Sequence, residues 1–207
     1  MAKRWEARSE RRTNSRSRRR YLIVCEDSKS SLDYLTAFEI PADFAEIVTE
    51  GGAGNTVSVV EKGIKKKEEA ERAGNPYAHV WCVFDRDEHP LERYRRAFEL
   101  GQKHNDLSVV WANESFELWY LLHFCYRDTA IGRAEINREI SKPDRLNRKY
   151  EKFDKAMFES LKDRTQTAMR NAERLSTFNR SPLDNPSTNV HTLVRELAQL
   201  QAAAKES

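Results

Sequence analysis

Asp85 and Asp87 stand two residues apart at the end of an unbroken apolar run, Val80-Trp81-Cys82-Val83-Phe84. On an extended chain that spacing sends both carboxylates off the same side. Like charges so placed raise each other's pKa unless a shared proton or a cation relieves them, and a hard divalent ion is the stronger relief. The chemistry such a pair supports is the holding of a hydrated ion against a phosphate oxygen. An acidic loop between a strand and a helix can also do no more than cap the helix, which here begins near Pro90, a good first-turn residue.

Two further groups could join the pair. Glu26 follows the short apolar run Tyr21 to Cys25, and Asp27-Ser28-Lys29-Ser30-Ser31 follow it. With Ser28 or Ser30 as N-cap, this places a carboxylate, several hydroxyls and Lys29 at a helix N-terminus, whose partial positive charge favours phosphate. Glu114 and Glu117, three apart, fall on one face in the first turn of a predicted helix, where acids commonly offset the helix dipole. Glu117 also sits between Phe116 and Leu118-Trp119, where an unpaired carboxylate would be costly, so a cation or donor should meet it. The glycine-rich stretch Gly51-Gly52-Ala53-Gly54-Asn55 could cradle a phosphate but lacks the spacing and the Gly-Lys-Ser/Thr ending of a P-loop, and otherwise reads as a turn.

The elements that must position these residues alternate. Tyr21 to Cys25 is too short for a helix and rich in β-formers, Phe44 to Thr49 reads as a second strand, Val80 to Phe84 as a third and Leu107 to Ala112 as a fourth. Between them Leu32, Leu35 and Phe38, then Val57, Val60 and Ile64 over 56–72, then residues 91–103, carry helical periodicity. The run Leu118 to Phe124 is apolar on all sides, as a buried helix would be. This order defines the α/β class, a parallel sheet flanked by helices. Parallel strands end on one edge, so Glu26, Asp85, Asp87 and Glu117 can converge there.

From Ile131 onward the pattern is helical throughout, including Arg133 to Ile140, a stripe of Phe153, Met157 and Leu161, and a last helix starting after the turn Asn185-Pro186-Ser187-Thr188. The expected organisation is a basic, disordered arm over 1–20, an α/β core over 21–125, and an all-helical C-terminal extension over 126–207 packed on that core. Lys142, Arg145, Arg148, Lys149 and Lys152 offer either a solvated face or a phosphate-facing one.

Of the 207 residues, 39% are hydrophobic and 33% charged, a globular composition and not a disordered or membrane one. No apolar run approaches the roughly 20 residues that span a bilayer, and the N-terminus carries no apolar segment behind its charges, so a cytoplasmic protein is expected. Cys25, Cys82 and Cys125 lie in or beside apolar runs without ligand spacing and read as reduced, buried thiols. The net charge of +3 conceals an asymmetry: nine basic residues against Glu6 and Glu10 give residues 1–20 a charge of +7. Such an arm, with Arg16, Arg18, Arg19 and Arg20 nearest the core, is drawn to polyanions by counterion release, which makes nucleic acid its natural partner, the alternative being a tail that only solubilises the chain.

At Glu26, Asp85-Arg86-Asp87, Asn113-Glu114-Ser115-Phe116-Glu117-Leu118-Trp119 and Asn185-Pro186-Ser187-Thr188-Asn189-Val190, the chain resembles the RloB-like family of bacterial proteins, associated with restriction and anti-phage defence. The family's core in turn resembles the Toprim fold, a Rossmann-like sheet in which a glutamate after the first strand and an Asp-x-Asp after the third surround magnesium. That resemblance assigns Glu26, Asp85 and Asp87 to the metal. The glutamate is usually followed by glycine, where this chain has Asp27, and a further acid often closes the loop, where it has Ser31.

The expected function is then a Mg²⁺-dependent nuclease, with Mn²⁺ as substitute ion, acting on DNA or RNA. Glu26, Asp85, Asp87 and Lys29 would be catalytic, Glu117 an added ligand, and the arm the source of affinity. The alternative is a non-catalytic Toprim-like sensor or regulatory subunit beside a defence ATPase. A nucleotidyl transferase is a weaker third reading, since no separate triphosphate motif is visible.

Overall fold

A computed structural model describes residues 19–27, 30–86 and 90–206. Its centre is one sheet of β1 (Arg19–Cys25), β2 (Ala45–Glu50), β3 (His79–Asp85), β4 (Leu107–Asn113) and β5 (Ser187–Thr188), in the spatial order β2-β1-β3-β4-β5. The first four strands are parallel and β5 runs antiparallel to β4. The chain moves from β1 outward to β2, then returns across β1 to lay down β3. The strand order therefore reverses between β1 and β3, and open α/β sheets bind ligands in the crevice at such a switch point.

Both faces of β1 and β3 are covered, which is why their sequences are continuously apolar and not alternating. Leu22, Val24, Val80, Cys82 and Phe84 face one core, packed by α2 (Thr56–Arg72) and α3 (Leu91–Gly101). Tyr21, Ile23, Cys25, Trp81 and Val83 face a larger core, which they share with α1 (Ser30–Thr36), α4 (Glu117–Leu122) and the C-terminal helices. The N-cap Asn55 starts α2 by accepting a hydrogen bond from the Ser58 amide at 3.2 Å. Close seating of α2 on the sheet depends on Gly63, where a Cβ would lie 2.6 Å from Cys82 Sγ.

The later elements are α5 (Arg133–Ile140), α6 (Met157–Leu161), a 3₁₀ turn at Lys162–Arg164, α7 (Thr165–Phe178) and α8 (Val190–Lys205). All six residues of α4 are buried, as expected for a helix apolar on every side, and α4 joins the sheet to this C-terminal half. Among the described residues no helix is long and apolar enough to cross a membrane.

Three expectations require correction. The sheet begins at Arg19 and not Tyr21, so Arg19 and Arg20 belong to β1 and not to an arm. Arg20 donates to Glu46 at 3.0 and 3.3 Å and lies 4.6 Å over the Tyr77 ring, contacts that hold it in the sheet edge. Second, the C-terminal half is not wholly helical, because Ser187 and Thr188 form β5. Side chains make most of that join: Asn189 accepts from the Trp111 amide at 2.7 Å and donates to the Val109 carbonyl at 2.9 Å, while Thr188 Oγ1 donates to the Trp111 carbonyl at 2.8 Å. Third, Glu114 precedes α4 and does not share its face with Glu117.

Candidate functional site

The parallel register sets the site. Cys25 pairs with Val83 and Asp85 with Ala112, so the ends of β1, β3 and β4 lie level at one edge. The ladder runs one step further, with the Glu26 amide donating to the Val83 carbonyl at 3.0 Å and the Arg86 amide to the Ala112 carbonyl at 2.9 Å. Glu26 returns across the switch point, where its Oε2 accepts from the Asp85 amide at 3.2 Å. The two acids are thus fixed to each other's strands before any ligand arrives.

They open on a cavity of about 210 Å³ whose polar lining is Glu26, Asp27, Asp85 and Glu117 with Arg133, Lys152 and the hydroxyls of Ser30 and Ser31. Asp85 lines this cavity, where the Arg133 Nη2 atom lies 3.5 Å from its Oδ2. Glu117 enters from the first turn of α4 and is buried, and Tyr150 Oη donates to its Oε1 at 2.9 Å. That phenol is the donor its apolar flanks required. Glu114 acts at a different place, where its Oε2 accepts from the Arg133 amide at 2.8 Å and so anchors the start of α5.

Within the loop after β1, Ser31 Oγ donates to Asp27 Oδ1 at 2.7 Å, which fixes the Asp27 carboxylate beside the cavity. The glycine-rich turn backs this loop, with the Gly52 amide donating to the Asp27 carbonyl at 3.1 Å and the Ala53 amide to the Cys25 carbonyl at 3.3 Å. Those two amides are engaged by protein and serve the loop's shape.

Crowding of like charge shows in Asp85. Burial raises its pKa well above the ordinary carboxylate range, the Glu117 carboxylate adds to this, Arg133 opposes it, and Glu26 and Asp27 contribute further in the same upward direction. A carboxyl raised in the folded state stabilises the fold fully below its unfolded pKa of about 4 and loses that contribution as pH rises through the folded value. Metal-free protein should therefore lose thermal stability as the pH is raised from about 4. Asp85→Asn should flatten that slope and melt higher than the parent at neutral pH in EDTA. Because the Asp85 side chain keeps 27% of its surface exposed, the effect should be about 1 kcal/mol and not several. Melting scans of both proteins across pH check this.

Of the residues expected at the site, Glu26, Asp85 and Glu117 are brought to one cavity. Asp87, Lys29, Arg16 and Arg18 lie outside the described residues. Arg19 and Arg20 open β1, at the opposite end of the strand from Glu26 and about 20 Å away by strand rise. Of the basic group after α5, Lys142 and Arg145 pair with Glu139 and Arg148 with Asp154, while Lys152 reaches the cavity. Sequence reasoning missed Arg133 and Tyr150. Arg133 carried one readable signal, since a cation at the first position of a helix opposes the helix dipole and so invites a local reason. The thiols of Cys25 and Cys82 are buried and Cys125 half-buried; burial pushes Cys25 up to about 12, so it is an unreactive thiol.

Sheet order and acidic crevice together define a doubly wound α/β protein with a carboxylate-lined cavity at its switch point. The family model for RloB-like proteins matches residues 21–197, and the chain belongs to that family. Comparison with curated proteins and with solved structures returned no match.

Proposed function

We propose that this RloB-like protein is a divalent-metal-dependent nuclease whose centre is the cavity between β1 and β3. One observation carries the reading: Glu26 and Asp85, from adjacent strand ends, share that cavity with Asp27 and Glu117, where burial and then like charge lift the Asp85 pKa. An all-oxygen donor set of this kind suits a hard ion such as Mg²⁺, and Mn²⁺ as its substitute. Among the described residues no three His, Cys, Asp or Glu side chains form a group that could hold a metal ion, so the proposed ion would rest on one or two carboxylates and water. Such an ion would supply charge for the phosphate oxygens and an activated water.

Under this reading Asp85 and Glu26 hold the ion, with Asp87, two residues after Asp85 in sequence, as a further ligand. Glu26 also stands near enough to the centre to move a proton to or from water or a leaving oxygen. Tyr150 holds Glu117 in place through its hydrogen bond, and the hydroxyl of Ser31 does the same for Asp27. Lys29 would offset charge developing on the phosphate, and the basic N-terminal residues would add affinity without sequence preference. A Toprim-like lineage and a place in anti-phage defence are part of the same proposal, carried by the family resemblance.

A second reading, a non-catalytic sensor or regulatory subunit working with an ATPase, draws on the Arg133 contact, because an internal cation already meets Asp85. The two readings part on chemistry. Plasmid, single-stranded DNA and transfer RNA incubated with the protein in Mg²⁺, Mn²⁺ or EDTA should show cleavage of at least one substrate in metal and of none in EDTA. Intact substrates in every metal would favour the regulatory reading.

A further inference from the structure

Arg133 joins the start of α5 to the sheet edge through both its backbone and its side chain. Its backbone amide is fixed by Glu114 Oε2 at 2.8 Å, so the start of α5 is tied to the loop that leaves β4. Its side chain keeps 39% exposure and reaches Asp85 Oδ2 at 3.5 Å, beyond the 2.7–2.9 Å of a strong charge-assisted hydrogen bond. At that separation Arg133 meets Asp85 through a charge contact and not a short hydrogen bond, and it opposes without cancelling the charge crowded around Asp85. It lies in the cavity that also takes Lys152, so the C-terminal half brings two cations to the carboxylates of the sheet edge. With four carboxylates and two cations, the described lining has a formal charge of −2, which one divalent ion would balance.

A guanidinium has a rigid fork of donors that matches two oxygens of one phosphate, and it stays charged at every working pH. We propose that Arg133 is a substrate-phosphate ligand that rests on Asp85 while the metal is absent and passes to a non-bridging phosphate oxygen once a divalent ion occupies Asp85. This rests on the metal-dependent reading of the same cavity. It makes Arg133 a competitor of the ion in free protein and a partner of the ion in the complex. Metal and nucleic acid then favour each other's binding, reciprocally, because the phosphate takes Arg133 away from Asp85.

The test uses the full chain and two variants. Arg133→Gln keeps the anchored amide and most of the side-chain bulk but removes the charge, whereas Arg133→Lys keeps the charge and removes the fork. Mn²⁺ is titrated by calorimetry without nucleic acid, and affinity for a single-stranded oligonucleotide is measured separately in Ca²⁺. In Arg133→Gln, Mn²⁺ should bind about fivefold tighter, the worth of one partly exposed charge contact, while oligonucleotide affinity falls about tenfold. Arg133→Lys should bind Mn²⁺ like the parent and the oligonucleotide more weakly.

Unchanged or weaker Mn²⁺ affinity in Arg133→Gln, alongside parental Mn²⁺ binding that Asp85→Asn removes, would overturn this inference and leave the metal site standing. Parental Mn²⁺ binding that survives Asp85→Asn, or is absent from parent and Arg133→Gln alike, would overturn the metal reading and this inference with it.

Discussion

If the proposed metal-dependent nuclease reading holds, Asp85→Asn should reduce cleavage by about 10³-fold or more, while oligonucleotide affinity should stay within a few-fold of the parent. The magnitude follows from the work proposed for the carboxylate. An ion that charges the phosphate and activates water contributes several kcal/mol to the transition state, and each 1.36 kcal/mol is about tenfold in rate. Asparagine keeps the shape at the end of β3, and the backbone amide that Glu26 accepts from is unchanged, so the loss would be chemical and not structural. The variant should also be the more thermostable in EDTA, since it removes the crowded charge. Greater stability with lost activity is the signature of a residue kept for function against the interest of the fold. Single-turnover cleavage and a melting scan on the same preparation read both effects.

The largest effect on stability should come from Trp119→Ala. Trp119 is fully buried in α4 and packs edge-on to His123 with ring centroids 5.0 Å apart. Its carbonyl lies 2.9 Å from His123 Nδ1, which must be the protonated nitrogen, leaving Nε2 to accept from the Tyr34 hydroxyl at 3.3 Å. Burial drives the His123 pKa down to about 4, so the ring is neutral and the arrangement is apolar in character. Removing an indole here should cost about 3–5 kcal/mol, which for a chain of this length lowers Tm by roughly 6–20 °C. One large cluster contains residues of β1, β3 and β4 as well as of α5, α7 and α8, so the loss should be felt in a single cooperative transition. Two transitions, with only the later one shifted, would show that the C-terminal half unfolds on its own.

Legibility varied with the physical origin of each feature. The helices at Thr56–Arg72 and Arg133–Ile140 stood in the sequence at their observed bounds, because apolar spacing and flanking Asn and Gly mark them locally. β1 and β3 were readable because strands covered on both faces have no polar alternation. β5 was not, because two residues carry no periodicity and their pairing is made largely by the side chains of Thr188 and Asn189. Within the site, Glu26, Asp85 and Glu117 were accessible to the argument that parallel strands end together. Glu114 was misplaced by spacing alone: three residues put it on a helical face only if the helix has already begun, and here it begins at Glu117. Arg133 comes from 48 residues further along the chain than Asp85 and reaches it only through tertiary packing, which no local pattern records.

The most direct test is where a divalent ion sits. Crystals of the full chain soaked in Mn²⁺ and measured at the manganese absorption edge should give an anomalous peak in the cavity between β1 and β3, in contact with carboxylate oxygens of Glu26 and Asp85. The peak should be missing from crystals of Asp85→Asn treated identically. An empty cavity in the parent, or a peak that persists without the Asp85 carboxylate, would contradict the account.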